Sequence, residues 1–140
     1  MHKNLFVVIA GAALLVATAV PVIAHHSFAA EFDANKPVTL KGKVVKTEWV
    51  NPHIWIHIDV PGQDGKVDNW VVEGGAPNAL LRRGWRKNSL PFGIEITVEG
   101  FQAKDGAFRA NGRDITFPDG TKLFVGSTGT GAPEEKKERQ

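Results

Sequence analysis

The stretch Trp49-Val50-Asn51-Pro52-His53-Ile54-Trp55-Ile56-His57-Ile58-Asp59-Val60 alternates strictly from Pro52 onward. His53, Trp55, His57 and Asp59 fall on one side, and Ile54, Ile56, Ile58 and Val60 on the other. A period of two marks a half-buried β-strand. The isoleucine face predicts a core contact. The opposite face carries two imidazoles, an indole and a carboxylate, and it is the first place to look for a ligand or a partner. Upstream, Val38, Leu40, Gly42 and Val44 share one parity, after which Val45, Thr47 and Trp49 continue on the other. A one-residue slip beside a glycine predicts a bulged, bent first strand, and such a strand lets a small sheet curl by pairing with different neighbours at its two ends. Asn51-Pro52 separates it from the second strand, because proline donates no ladder hydrogen bond.

Working outward, Pro61-Gly62-Gln63-Asp64-Gly65 is a turn that joins the second strand to a third over 67–73. Residues 77–83 read as a short helix, with Pro77 in its first turn, Gly84 as its stop and Leu80 and Leu81 as anchors. Ile94, Ile96 and Val98 alternate with charged and polar residues in a fourth strand, and Lys104-Asp105-Gly106 is a turn. An extended piece follows near 108–111, and 115–117 pairs with 121–125 across Pro118-Asp119-Gly120. The expected class is all-β with one short helix: a small five- to six-stranded antiparallel OB-like barrel, of the oligonucleotide/oligosaccharide-binding type, with the helix between strands 3 and 4. A plain five-stranded antiparallel barrel of another topology is the alternative. Neither names a ligand.

The 140 residues, 42% hydrophobic and 23% charged, suit one domain. Residues 1–24 combine Lys3, an apolar run over 5–20 and Pro21-Val22-Ile23-Ala24, which predicts a secretory signal peptide cleaved after Ala24. An uncleaved membrane anchor is the alternative. Cleavage removes Lys3 and leaves sixteen Lys and Arg against fifteen Asp and Glu. That balance carries no electrostatic footprint for nucleic acid. The absence of cysteine excludes disulfides and thiolate chemistry, and there is no tyrosine. The expected organisation is a signal peptide over 1–24, an arm over 25–37 that buries Phe28 and Phe32, a barrel over 38–126, and a disordered tail over 127–140. The expected product is periplasmic and monomeric, off the membrane once cleaved.

Cleavage after Ala24 would make His25 the mature N-terminus, where its α-amine and imidazole can chelate one metal, with His26 beside them. Copper is the divalent first-row ion that such nitrogen donors favour most, although zinc and nickel use the same groups. A mature N-terminal histidine resembles the copper sites of secreted copper monooxygenases and of some periplasmic copper carriers, where that residue and a second histidine form a brace. Residues four apart on a strand stand about 13 Å apart with parallel side chains, so His53 and His57 cannot share an ion. His53, at the strand start, is the better third ligand, which makes His25, His26 and His53 the candidate metal set. The alternative is structural: His53 caps backbone groups, His57 pairs with Asp59 or a cross-strand acid, and His25-His26 is a polar stub.

Glu73-Gly74-Gly75-Ala76-Pro77-Asn78 with Arg82, Arg83 and Trp85 forms a second cluster. Two arginines beside an indole can hold an anion or a partner's carboxylate, and they can equally be surface packing with Glu73 ion-paired to one arginine. Of the four tryptophans, Trp49 and Trp70 are expected in the core, while Trp55, beside His57, can meet a ligand. The candidate partner surface is therefore Trp55, His57, Glu73, Arg82, Arg83 and Trp85. No nucleophile elbow, His-Glu-x-x-His helix or phosphate-binding glycine pattern occurs, so the chain is not expected to be an enzyme.

Taken together, the leader, His25-His26-Ser27-Phe28, Trp49-x-Asn51-Pro52-His53, Glu73-Gly74-Gly75-Ala76-Pro77-Asn78 and Arg83-Gly84-Trp85 resemble an uncharacterised family of small exported bacterial proteins known as a domain of unknown function. The resemblance spans nearly all of residues 25–125 and implies a periplasmic location and a small β-barrel, with no established activity. The expected function is a periplasmic binding protein that holds copper through His25, His26 and His53. The alternative is a metal-free module that binds a periplasmic partner protein or an anionic ligand.

Overall fold

The computed structural model describes residues 28–128 and 130–133. The expected signal peptide, His25, His26 and the tail from residue 134 lie outside the described residues. Among the described residues six strands follow one another: β1 (Phe32–Glu48), β2 (Trp55–Pro61), β3 (Val67–Glu73), β4 (Glu95–Ala103), β5 (Arg109–Thr116) and β6 (Lys122–Phe124). A single helical turn, α1 (Phe28–Glu31), precedes β1, and α2 (Pro77–Arg82) sits between β3 and β4. The chain is all-β with a short helix at the expected place. The sheet order is β3-β2-β1-β4-β5-β6, and β3 also meets β5 in a short parallel pairing from Val71↔Arg109 to Glu73↔Asn111. Every other strand pairing is antiparallel.

β1 organises the curl. Its later half pairs with β2 and its earlier part with β4, and its register against β2 shifts between Val44 and Lys46, where the hydrophobic period slips. Gly42 lies where β1 presses on β2, and a Cβ there would stand 2.5 Å from the Asp59 carbonyl oxygen. Ile54, Ile56 and Ile58 are fully buried together with Val44, Val72, Leu80, Trp85, Ile96, Val98 and Ile115. The isoleucine side of the alternating stretch therefore forms the core, as its period requires.

The ends of the chain differ from expectation. β1 begins at Phe32 rather than at residue 38, so most of the expected arm is strand, preceded by α1. Phe28 and Phe32 are buried as expected, in a separate cluster with Phe101 and Ala103. Those two residues lie on the opposite parity of β4 from Ile96 and Val98, and burying them carries β4 beyond residue 99. The tail also departs from expectation at its start. The Phe28 N–H donates to the Thr130 carbonyl at 3.0 Å, and Ala132 packs against the phenylalanine cluster.

Trp85 is the main correction on the expected partner surface. It is buried in the core, with its Nε1–H donating to the Phe124 carbonyl at 2.9 Å and its ring 5.9 Å from that of Phe117. The cause is the end of α2. Gly84 takes φ +94°, its N–H donates to Leu81 O at 3.3 Å, and the Trp85 N–H donates to Leu80 O at 3.1 Å. This glycine-terminated cap reverses the chain and sends the next side chain inward. At the other end α2 begins on Ala76 with no side-chain cap. Truncating Trp85 to Ala should cost about 3–5 kcal/mol, read as a loss of denaturation free energy. Trp55→Ala, at a half-buried position, should cost clearly less.

Candidate functional site

The outward face of β2 is built by cross-strand partners. Trp55 pairs with Glu48 of β1 and with Glu73 of β3, and Glu73 pairs in turn with Asn111 of β5, which pairs with Phe101 of β4. Side chains of paired residues share a face, so Glu48, Trp55, Glu73, Asn111 and Phe101 form a row across the strands. His53 and His57 flank Trp55 on the same face. They turn to opposite neighbours. His57 Nε2 lies 3.1 Å from Glu48 Oε2, whereas His53 Nε2 faces Glu73 Oε1 at 3.5 Å. The two imidazoles are thus committed to different carboxylates, in keeping with their separation along an extended strand.

The His53 corner is the more constrained of the two. β2 and β3 continue to pair beyond their ends, with the Ile54 N–H donating to Gly75 O at 3.0 Å and the Gly74 N–H to Ile54 O at 2.9 Å. The glycine pair is required by crowding. A Cβ on Gly74 would stand 2.6 Å from Ile54 Cγ1, and one on Gly75 would stand 2.7 Å from the Gly126 carbonyl oxygen. The corner sets the Gly74 carbonyl 3.0 Å from His53 Nδ1. A carbonyl can only accept, so Nδ1 carries the proton and the Nε2 lone pair is left toward the Glu73 carboxylate. Both side chains are sheltered, at 14% and 13% exposure. A backbone carbonyl holding the far ring nitrogen is also the usual support of a metal-bound histidine.

His57 is held differently. Its Nε2 donates to Glu48, which also accepts from Lys46 Nζ at 2.6 Å. Asp59, the nearer sequence candidate for His57, instead accepts from Asn69 Nδ2 at 2.6 Å. Hydrogen bonds from Lys46 and then from His57 hold the Glu48 carboxyl below the usual glutamate value.

The arginine cluster disperses. Arg83 Nη1 donates to Gly126 O at 2.9 Å, and its guanidinium lies 5.0 Å from the centre of the Phe124 ring. Glu73 faces His53 rather than forming the expected pair with an arginine. Arg82 is exposed in the last turn of α2. Trp70 is in the core as expected, with Trp49 partly buried against it. Among the described residues, no group of three or more His, Asp or Glu side chains is gathered to hold a metal. His53 and Glu73 are two potential ligands at most, and His25 and His26 lie outside the described residues. Sequence reasoning passed over Asn111 and Asp114, which are buried at 8% exposure each. Their only signal was a polar run inside a strand, Asn111-Gly112-Arg113-Asp114.

A family model described as a family of unknown function (DUF6152) matches residues 12–112. No curated protein and no solved structure matches the chain.

Glu48 titrates in the depressed direction, so the stability contributed by its ionised form is present above the usual glutamate range and is lost as pH falls through its own lower value. A carboxyl-carbon NMR titration should place its midpoint below 4.5. Lys46→Met should raise that midpoint more than His57→Gln does.

Proposed function

We propose that this chain, a member of the family of unknown function DUF6152, is an exported, non-enzymatic binding protein that holds copper through His53 and the mature N-terminal His25 and His26. The observation that carries this reading is the His53 corner. Nδ1 is committed to the Gly74 carbonyl, and Nε2 presents its lone pair beside the Glu73 carboxylate at 3.5 Å. An imidazole so oriented needs only further nitrogen ligands. The chain can supply them if export removes residues 1–24 and frees the α-amine of His25.

Reach supports the same reading. Phe28 packs on Phe101, with ring centroids 5.4 Å apart. From Phe101 through its partner Asn111 to Glu73 is two strand spacings, about 10 Å. The three residues before Phe28 span up to about 10 Å when extended, which is enough for the N-terminal imidazoles to meet the corner. The strand order supports an OB-like barrel as the scaffold: β1 lies between β2 and β4, β5 bridges β4 to β3, and the helix falls between β3 and β4. In that scaffold the corner lies beside the β1–β2 connection. The ligands must be deprotonated, so affinity falls as pH drops through the imidazole range.

Calorimetric titration with Cu(II) tests the reading on the full chain beginning at His25, on the same chain with one extra N-terminal residue, and on His53→Ala. The extension and the substitution should each weaken binding by about tenfold or more, and affinity should fall between about pH 7.5 and 5.5. Equal, weak binding by all three would make the His53–Glu73 pair structural. The chain would then be a metal-free interaction module that presents Trp55 and the exposed Arg82 to a partner protein or an anionic ligand.

A further inference from the structure

A cavity of about 330 Å³ lies at the Asn111–Phe101 end of the row across the strands, between β4, β5, β6, residues 126–128 and residues 132–133. Its apolar walls include Phe101, Phe124 and Ala132, and its polar side is made by Asn111, Arg113 and Asp114. We propose that it binds a neutral molecule of one or two rings whose edge carries an N–H next to a C=O, as in a lactam or a pyrimidine-type heterocycle.

Three observations lead to that class. The first is Asn111. Its backbone is held in the ladder between Glu73 and Phe101, and the residue is only 8% exposed. Its carboxamide makes no side-chain hydrogen bond among the described residues, and its N and O are open to the cavity rather than fully enclosed. An amide in mid-strand with no side-chain partner, where a β-branched apolar residue would fit, is placed to meet whatever occupies the cavity. The carboxamide offers a donor and an acceptor side by side. A lactam edge presents the complementary pair and forms two parallel hydrogen bonds with it.

Charge is the second observation. Asp114 Oδ2 accepts from Arg113 Nε at 3.0 Å and lies 3.8 Å from Lys122 Nζ, and Lys122 pairs with Glu99 at 2.6 Å. The charges around the cavity are matched within the protein, which favours a neutral ligand over an ion. The third is size. An apolar cavity of about 150 Å³ accommodates benzene, so the volume here is suited to a planar molecule of one or two rings between phenyl walls. The inference is independent of copper, since none of the cavity's residues belongs to the proposed metal set.

The test is an amide NMR titration of the full chain with 2-quinolone, and with N-methyl-2-quinolone as the matched compound lacking the N–H. The expected result is a saturable shift of the Asn111 carboxamide and of the Gly112 and Gly126 amides with 2-quinolone. Methylation, Asn111→Asp and Asn111→Leu should each weaken binding by about tenfold, the scale of one lost hydrogen bond to a buried group. Without the probe, Asn111→Leu should melt at or near the parent temperature, because no hydrogen bond within the described residues depends on the carboxamide. Equal binding of the two quinolones, undiminished binding by both variants, or no saturable shift would overturn the proposal. So would a much lower melting temperature for Asn111→Leu, or proton contacts showing that residues 1–27 or 134–140 of the same chain fill the cavity.

Discussion

The backbone of Phe124, Val125 and Gly126 is the clasp on which the rest of the molecule depends. The Phe124 carbonyl accepts from Trp85 Nε1, the Val125 carbonyl from the Gly75 N–H, and the Gly126 carbonyl from Arg83 Nη1. The Val125 N–H donates to Arg113 O, and its side chain is fully buried. Three consecutive carbonyls thus tie the end of α2 and the glycine corner after β3 to this segment, and the Val125 N–H ties it to strand β5. Buried polar groups must be paired, so displacing this segment would orphan donors at the end of α2 and at the glycine corner and the Arg113 carbonyl of β5 at once. It also explains the crowding that requires glycine at position 75.

The clasp determines what the outward face can do. By fixing Gly74 and Gly75, it fixes the carbonyl that orients His53, and hence which imidazole nitrogen is left toward Glu73. By holding Trp85 inward, it removes from the surface an indole that the local sequence would have placed beside two arginines. Because Phe124 and Gly126 also line the cavity above Asn111, the same segment forms one wall of the second proposed site. The corner and the cavity are neighbours through the Glu73↔Asn111 pairing, yet they differ in chemistry. One sets an imidazole beside a carboxylate, and the other presents a neutral amide among apolar rings.

His57 shows how a similar residue on the same strand can be given a different role by its neighbour. Both histidines stand beside a glutamate, but the Gly74 carbonyl fixes the proton of His53 on Nδ1, whereas His57 directs Nε2 as a donor at Glu48. Glu48 is shared with Lys46, so that cluster carries its own cation. A sheltered carboxylate facing a lone pair and an exposed carboxylate already served by an ammonium are different electrostatic settings.

Much of the fold is legible in the sequence, because it depends on periods of two and on punctuation by proline and glycine. The alternation from Pro52 determines which isoleucines are core. The slip after Val44 marks the bulge, and Pro77 and Gly84 bracket the helix. These are local properties of strands, turns and caps, and the identity of neighbouring residues is enough to set them. The partners of the functional side chains are not local. That His57 meets Glu48 rather than Asp59, that Glu73 meets His53 rather than an arginine, and that Asn111 faces a cavity all depend on strand register. Trp85 turns inward because of where Phe124 passes, some 39 residues later in the chain. The sequence alone therefore determined the elements, their order and the face that forms the core. Which polar groups meet across that order was decided by tertiary pairing, because hydrogen bonds between distant residues exist only once the sheet has curled.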